Sequence, residues 1–202
     1  MTDWHLQNRA AWKRLVRPRL PSRPAVFIEI GSHEGSSALC LVEEVLRESD
    51  RLICVDPWAD RDAEATFIAA TSGERRVTRH KGRSADYMVQ IMAASPDFRA
   101  DCIYIDGDHD SSSVLADAVL SWRMLSVGGM LVFDDYRWNH EPSVVGQQPP
   151  MFRQGFSCPV LLDFIDKSVS CTGLSPTTAA LSRAFHYTQI NLRASPRSLA
   201  TT

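Results

Sequence analysis

Short apolar runs alternate with longer amphipathic segments along most of this chain, and this alternation restricts the folds that it can adopt. The runs are too short for helices and rich in Val, Ile and Phe, which is typical of strands covered on both faces of a parallel sheet. The longer segments repeat apolar residues at helical spacing. The predicted strands are 25–30, 51–55, 101–105 and 130–133, with a weaker one at 76–80, and the predicted helices are 36–48, 62–70, 85–94 and 112–125.

Strands that alternate with helices predict an α/β fold, an open doubly wound sheet built from right-handed crossovers. We expect one Rossmann-like domain over residues 25–193, with a mostly parallel seven-stranded sheet, helices on both faces and an antiparallel last strand. A basic helix and linker at 1–24 come before it. The remaining predictions are a Pro- and Gly-rich loop at 138–156, a last helix at 160–165, two strands within 177–193 and a disordered tail at 194–202.

Charge, hydrophobicity and cysteine content limit the partners and the cellular compartment that we expect for the domain. The chain has 22 basic and 24 acidic residues and a net charge of -2, so we expect no nucleic-acid partner. No stretch approaches the roughly 20 apolar residues that span a bilayer, and the five cysteines form no C-x-x-C pair. We therefore expect a cytoplasmic protein without membrane contact; a homo-oligomer is compatible with the sequence. The basic N-terminal helix could instead touch a membrane or nucleic acid, but packing of Trp4 and Trp12 on the domain edge is favoured.

The first predicted strand leads directly into a glycine-containing turn, Glu29-Ile30-Gly31-Ser32-His33-Glu34-Gly35. Open α/β sheets bind ligands at such turns, where glycine lets the backbone approach a ligand and the next helix presents free N–H groups. The G-x-G-x-x-G spacing that holds a pyrophosphate is missing. Glu29 would repel a phosphate, but it would suit a cationic amino-acid group, held directly or through water.

The second predicted strand ends at Asp56, followed by Pro57 and Trp58. An acidic side chain at this point is placed to accept hydrogen bonds from both hydroxyls of a ribose. Trp58 would then lie against the adenine. The alternative is that Asp56 only ends a strand before a proline.

These motifs resemble the class I S-adenosylmethionine-dependent methyltransferases. The later motifs are similar to the branch called methyltransferase family 24, related to the macrocin and aminocoumarin sugar O-methyltransferases. The resemblance covers residues 25–136 well and resumes weakly at 187–190. The later motifs are Tyr104-Ile105-Asp106-Gly107-Asp108-His109, Asp117-Ala118-Val119-Leu120-Ser121-Trp122, Gly128-Gly129 and Phe133-Asp134-Asp135-Tyr136.

The resemblance implies that S-adenosylmethionine is the cofactor and implies which residues bind it. Gly82 and Ser84 follow the third strand, where relatives place adenine contacts; Ser84 would also cap the next helix. The cofactor-binding set is Glu29, Gly31, Ser32, Gly35, Ser36, Ser37, Asp56, Trp58, Gly82, Ser84, Asp106 and His109.

Carboxylates at two neighbouring strand ends predict a cation site. Asp106 follows one strand, and Asp134 and Asp135 follow the next, so the three side chains converge at one rim and repel one another unless a cation lies between them. In the related sugar O-methyltransferases the matching aspartates hold Mg²⁺, and the resemblance implies the same role here. Mg²⁺ would lower the pKa of an acceptor hydroxyl. The alternative is a pair of acids at a buried edge without metal.

The predicted catalytic residues are Asp106, His109 and Asp134, with His109 or an aspartate taking the proton of a small-molecule hydroxyl acceptor. His109 has the alternative role of contacting only the cofactor. Asp108 and Asp110 are interpreted as caps of the helix that follows, because a calcium loop would need Gly at Ser111 and Glu at Asp117. Two further hypotheses are a non-catalytic cofactor-binding domain and a nicotinamide-dependent oxidoreductase. The missing phosphate-binding glycines disfavour the oxidoreductase.

Overall fold

The computed structural model describes residues 4–134, with side chains described for residues 9–134 except residue 111. Within this part, strands and helices alternate along the chain as the apolar runs predict. The elements are α1 (Trp4–Leu15), a 3₁₀ turn (Arg17–Arg19), β1 (Val26–Ile30), α2 (Ser36–Glu44), β2 (Arg51–Asp56), α3 (Arg61–Ala70), β3 (Val77–Lys81), α4 (Ser84–Ala94), β4 (Ala100–Ile105), α5 (Ser111–Met124) and β5 (Leu125–Phe133).

The five described strands form one parallel sheet in the order β3-β2-β1-β4-β5. From β1, the chain adds β2 and then β3 on one side of the sheet. It then crosses back over β1 and adds β4 and β5 on the other side. This reversal opens a crevice between the carboxyl ends of β1 and β4, and such a crevice is where open α/β sheets bind ligands.

Helices cover both faces of the sheet, and each face has its own apolar core. One core joins residues of α1, α2 and α3 to Phe27, Leu52 and Tyr104 of the strands. The other joins α4 and α5 to Ile28, Ile103 and Leu131. Because successive strand residues point to opposite faces, each central strand contributes to both cores. This explains why its sequence is apolar without interruption.

Two element boundaries differ from the prediction by more than one residue. The helix predicted to reach residue 48 ends at Glu44, because Asp50 binds the backbone N–H of Arg47 at 2.8 Å and closes a tight turn before β2. The last described strand begins at Leu125 and not at residue 130. The pair Gly128 and Gly129 interrupts its apolar pattern, and the pairing with β4 shifts register between Ala100 and Cys102.

Several predictions lie outside the described residues: the loop at 138–156, the helix at 160–165, the strands within 177–193, the tail at 194–202, and Asp135. The sixth and seventh strands and the antiparallel pairing therefore stay predictions, as do the domain bounds. No helix within residues 4–134 has the length and apolar character to cross a bilayer. Three cysteines, Cys40, Cys54 and Cys102, are buried as free thiols.

The N-terminal helix α1 packs on the domain, as its tryptophans predict. Trp12 is buried and meets the ring of Tyr104 edge-on, with 5.1 Å between ring centroids. On the exposed side, Arg9 pairs with Glu43 at 2.9 Å and Lys13 pairs with Glu44 at 3.6 Å. The basic residues Arg9 and Lys13 thus serve to hold α1 against α2.

A buried carboxylate at the start of β2 ties the N-terminal linker to the sheet. Asp50 is 1% exposed, and its oxygens accept hydrogen bonds from the backbone N–H of Ala25 at 2.8 Å and from the Arg47 guanidinium. Burial raises the pKa of Asp50, but the hydrogen bonds from Arg47 and Ala25 outweigh burial and hold it below the ordinary value of 3.8. Arg47 also donates to the carbonyl oxygens of Pro21 and Arg23.

We expect Asp50→Ala to lower the free energy of unfolding by about 3 kcal/mol, because it leaves two backbone donors and a guanidinium without their acceptor. Urea unfolding at neutral pH measures the change. Asp97→Ala is the control, since Asp97 is exposed, and its effect should stay within about 0.5 kcal/mol. Equal effects of the two substitutions would contradict the assigned role. Since the pKa of Asp50 is lowered, its contribution is present at neutral pH and disappears in acid, as the pH falls through its folded-state pKa.

Candidate functional site

The turn after β1 is packed tightly against the end of β4. Gly31 has a φ of +87°, and a Cβ atom at this position would lie 2.0 Å from the carbonyl oxygen of Asp106. Its N–H donates to the carbonyl oxygen of Val55 at 2.9 Å, so the turn also contacts β2. Gly35 has the same φ, and a Cβ there would approach the Phe67 ring at 2.9 Å. Both positions require glycine because the protein's own neighbouring atoms leave no room for a side chain.

Asp56 connects the ends of β1 and β2. Its Oδ2 accepts a hydrogen bond from the backbone N–H of His33 at 3.0 Å, and its Oδ1 accepts one from the backbone N–H of Trp58 at 2.6 Å. The carboxylate is half-buried. Asp56 therefore does more than end a strand: it holds two loops in position at the mouth of the crevice.

Trp58 lies in the core, not in the crevice. Its side chain is 3% exposed and packs on Phe67, with 4.8 Å between ring centroids, while its indole N–H donates to the carbonyl oxygen of His33 at 2.7 Å. The arrangement differs from the expectation that Trp58 lies against the adenine. Burial of the large apolar ring against Phe67, together with a satisfied indole N–H, accounts for the inward orientation.

Glu29 is fully buried behind the glycine turn. The Cys54 thiol donates to its Oε2 at 3.3 Å. Burial raises the pKa of Glu29, the hydroxyls of Ser37 and Ser32 and the Cys54 thiol partly oppose the rise, and the charge of Asp56 adds to it. Ser32 and Ser37 are buried in the same region. Glu29 thus supports the turn from the core side, and does not form part of the crevice wall.

A buried phenol stands beside the predicted cation site. The Tyr104 hydroxyl donates to Oδ2 of Asp106 at 2.9 Å, and Tyr104 is 1% exposed. Burial, followed by the charges of Asp106, Asp134 and Glu29, raises the pKa of Tyr104 well above its ordinary value. Asp106 is half-buried and Asp134 fully buried, at the ends of neighbouring strands. Acidic side chains therefore converge around Tyr104 at this edge of the sheet.

The crevice widens into a cavity of about 770 Å³ with an acidic wall. Among the described residues, four carboxylates line it together with the basic side chains of Arg83 and His33. The acidic residues of the wall are Asp56, Asp106, Asp108 and Asp117. A cavity of this size and charge suits a small organic ligand that carries positive charge.

Two aspartates organise the start of α5, although only one of them caps the helix as predicted. Asp110 is the N-cap and accepts from the backbone N–H groups of Ser112 and Ser113. Asp108 accepts from the backbone N–H of Asp110 at 3.1 Å and from the Ser113 hydroxyl at 2.8 Å. The Asp110 cap is confirmed, while Asp108 orders the loop and lines the cavity.

The comparisons with known proteins agree with this geometry. A family model described as a methyltransferase domain matches residues 28–136, which is more than half of the chain. The chain belongs to this family, the class I S-adenosylmethionine-dependent methyltransferases. The resemblance inferred from the motifs is thereby confirmed.

Solved structures show that the chain shares its fold with several O-methyltransferases. It matches the MycE methyltransferase of the mycinamycin biosynthetic pathway, in complex with Mg and SAH, at 19% identity and a TM-score of 0.57, over 82% of this chain and 41% of that one. A putative caffeoyl-CoA O-methyltransferase from Staphylococcus aureus matches at 16% identity and a TM-score of 0.58, over 83% of this chain and 75% of that one. TomG from Streptomyces achromogenes, in complex with SAM, matches at 17% identity and a TM-score of 0.58, over 83% of this chain and 69% of that one.

A curated relative is the uncharacterized protein R132 of Acanthamoeba polyphaga mimivirus, 28% identical over 123 residues. The alignment covers 56% of the methyltransferase chain and 53% of R132. The chain thus spans about half the length of this relative.

The fold brings four of the predicted site residues together in the cavity wall: Gly31, Asp56, Ser84 and Asp106. The other described members of the predicted set lie outside the wall. His109 and Gly82 are half-buried beside it, and Gly82 donates its N–H to the carbonyl oxygen of Asp56 at 2.9 Å. Away from the wall lie Glu29, Ser32, Gly35, Ser36, Ser37 and Trp58.

Ser84 does not cap α4 with its side chain, which is a correction of the prediction. The N-cap is Arg83, without a side-chain cap bond, and the Ser84 hydroxyl donates instead to Oδ1 of Asp117 at 2.6 Å. Asp117 was not predicted as a site residue. One signal was present in the sequence: Asp117 occupies the helical stripe of Val114, Ala118 and Ser121, where an acid among buried positions is unusual.

Within residues 9–134, no group of three His, Cys, Asp or Glu side chains has the arrangement of a metal site. Of the predicted metal ligands, Asp106 and Asp134 lie in the described part and Asp135 lies beyond it. The oxygen donors and the convergence of acidic groups around Tyr104 fit a hard divalent cation in chemistry.

Proposed function

We propose that this chain transfers the methyl group of S-adenosylmethionine to a hydroxyl group of a small molecule. The acidic cavity at the point where the strand order reverses is the observation that carries the proposal. The cofactor has a sulfonium and an ammonium group, which suit a wall with four carboxylates. Asp56 accepts the ribose hydroxyls, and the turn at Gly31 lies beside the amino-acid end. The O-methyltransferases that share the fold support an oxygen acceptor.

Transfer requires the acceptor oxygen in line with the methyl carbon and the sulfur. An O–C bond forms as the C–S bond breaks, and the acceptor proton passes to a base. His109, in the segment between β4 and α5, is the proposed base. Holding the two reacting atoms in line contributes much of the acceleration.

We propose Asp106, Asp134 and Asp135 as ligands of Mg²⁺, as one fold relative was solved with Mg bound. When bound, Mg²⁺ supplies a Lewis acid that makes an acceptor hydroxyl easier to deprotonate. Tyr104 holds Oδ2 of Asp106 by a hydrogen bond and so limits the rotation of that carboxylate.

Calorimetric titration with S-adenosylhomocysteine tests the cofactor. We expect one site with a dissociation constant of the order of 10 µM, about -7 kcal/mol, and no heat on titration with NADH. NADH binding would favour an oxidoreductase on the same sheet. Absence of binding at millimolar S-adenosylhomocysteine would overturn the proposal.

Methyl transfer to a library of hydroxylated small molecules tests the reaction, and Asp134→Asn tests the metal. We expect the variant to lose at least about tenfold in kcat/KM, since one charged ligand of the cation is removed, and EDTA to inhibit the parent protein. Calorimetry with Mg²⁺ in the presence of S-adenosylhomocysteine gives a readout apart from activity. Asp97→Asn serves as the control. Full activity of Asp134→Asn in the presence of EDTA would contradict the proposed metal site. Cofactor binding without any turnover would favour a non-catalytic binding domain.

A further inference from the structure

Asp117 is an acidic side chain in the cavity wall that has no role in the proposed transfer. It lies on α5, is 3% exposed and lines the cavity. The Ser84 hydroxyl donates to its Oδ1 at 2.6 Å. Within residues 9–134, no other hydrogen bond reaches the Asp117 carboxylate and no Lys, Arg or His lies within ion-pair distance of it. Its Oδ2 is therefore an acceptor without a donor in the described structure.

A carboxylate in this position is costly for the folded protein. Burial raises the pKa of Asp117 to about 6, the hydrogen bond from Ser84 opposes the rise, and the charge of Asp108 adds to it. A single neutral hydroxyl does not replace the hydration of a charged group. An acid kept at this cost in the wall of a cavity is a candidate for contact with a ligand that brings its own donor.

The position of Asp117 in the cavity limits which part of the ligand it meets. Asp56 lies at the end of β2, whereas Ser84 and Asp117 lie on α4 and α5, which pack together on one face of the sheet. If the ribose is held at Asp56, the base is the part of a nucleoside that extends from the ribose toward these helices. A carboxylate accepts hydrogen bonds and donates none, so it favours an amino group and repels a carbonyl oxygen.

We propose that Asp117, held by Ser84, accepts a hydrogen bond from the exocyclic amino group of the purine and makes this site selective for 6-aminopurine over 6-oxopurine nucleosides. The inference rests on the proposed function, since it takes an adenosyl compound as the ligand. It assigns Asp117 as a specificity-determining residue and Ser84 as the residue that positions it.

Protonation of Asp117 replaces an acceptor by a donor, so affinity for the aminopurine should fall as the pH drops below about 6. The groups around it are Ser84 and Arg83 from the start of α4 and Asp108 from the segment before α5. Asp56 and Asp106, at the ends of β2 and β4, line the same cavity. Comparison with a variant that lacks the Asp117 carboxylate separates its titration from theirs.

The test compares the binding of S-adenosylhomocysteine and S-inosylhomocysteine, which differ at the 6-position of the purine and at N1. We expect the parent protein to bind the adenosyl compound about 10 to 100 times more tightly at pH 7.5, the range typical of a hydrogen bond to a charged group. In Asp117→Asn the amide can donate to a carbonyl oxygen, so the preference should fall at least about tenfold and its pH dependence near pH 6 should disappear. Ser84→Ala should reduce the preference several-fold while keeping the charge.

Asp86→Asn is the matched control, with the same change of charge at an exposed position in the first turn of α4, and it should keep the parent preference. Equal binding of the two compounds by the parent protein would overturn the inference while leaving the proposed function standing. The same follows if folded Asp117→Asn and Ser84→Ala both keep the parent preference. Failure of the parent protein to bind either compound would overturn the proposed function, and this inference with it.

Discussion

Replacement of Gly31 by alanine is expected to abolish binding of S-adenosylhomocysteine and to lower the free energy of unfolding by about 3 kcal/mol or more. The added Cβ would lie 2.0 Å from the carbonyl oxygen and 2.5 Å from the carbonyl carbon of Asp106, so the turn and the end of β4 would have to separate. The φ of +87° adds backbone strain for any L side chain. Since Gly31 and Asp106 both line the cavity, the separation would change its shape.

Gly73→Ala separates backbone strain from the clash. Gly73 has a φ of +80°, close to that of Gly31, but no atom lies within 4 Å of the position of its Cβ. We expect this variant to lose about 1 kcal/mol of stability and to bind S-adenosylhomocysteine as the parent protein does. Thermal unfolding and calorimetry measure both effects. If the Gly31→Ala variant bound S-adenosylhomocysteine with an affinity within twofold of the parent, the contact of Gly31 with the end of β4 would not shape the site.

Asp56→Ala is expected to weaken S-adenosylhomocysteine binding about 100-fold or more. The substitution removes the proposed acceptor for two ribose hydroxyls, each hydrogen bond to a charged group contributing about 1.5 kcal/mol or more. It also releases the backbone N–H groups of His33 and Trp58, which Asp56 holds at 3.0 Å and 2.6 Å. The loops that border the cavity would lose their fixed position together with the ligand contact.

Asp60→Ala is the control for Asp56→Ala, since Asp60 caps α3 by accepting from the N–H groups of Asp62 and Ala63. Loss of this cap should cost about 1 kcal/mol of stability and leave ligand affinity within twofold. Asp56→Asn should lie between the two, because its amide oxygen still accepts one hydrogen bond. An affinity of Asp56→Ala equal to that of Asp60→Ala would show that Asp56 does not contact the ligand.

Local patterns predicted the elements of this fold well, and the exceptions have local causes. Residue-by-residue burial on both faces explains why the β1, β2 and β4 segments were identifiable from apolar runs alone. The start of β5 was missed because Gly128 and Gly129 interrupt the run, although Leu125 still pairs with Ala100. The end of α2 was placed too late because helical spacing does not reveal that the Asp50 carboxylate accepts a hydrogen bond from the backbone N–H of Arg47.

The site was predictable where the chain order sets it. Residues at the carboxyl ends of parallel strands gather at one edge, so Gly31, Asp56 and Asp106 could be placed together from sequence. Trp58 was expected beside a ligand, but it packs on Phe67, and no local pattern distinguishes an aromatic residue at a strand end that points inward from one that points outward. Ser84 was predicted as a cap, but it donates to a residue 33 positions away.

Residues close together in the chain were enough to predict the alternation of strands and helices, the glycine turn and the acids at the strand ends. The folded structure was needed to reveal the strand order, the burial of Glu29, the contact between Gly31 and Asp106, and the pairing of Ser84 with Asp117. The energy of a charged or bulky side chain depends on which distant segment lies against it, and that neighbour exists only after the helices have packed on the sheet.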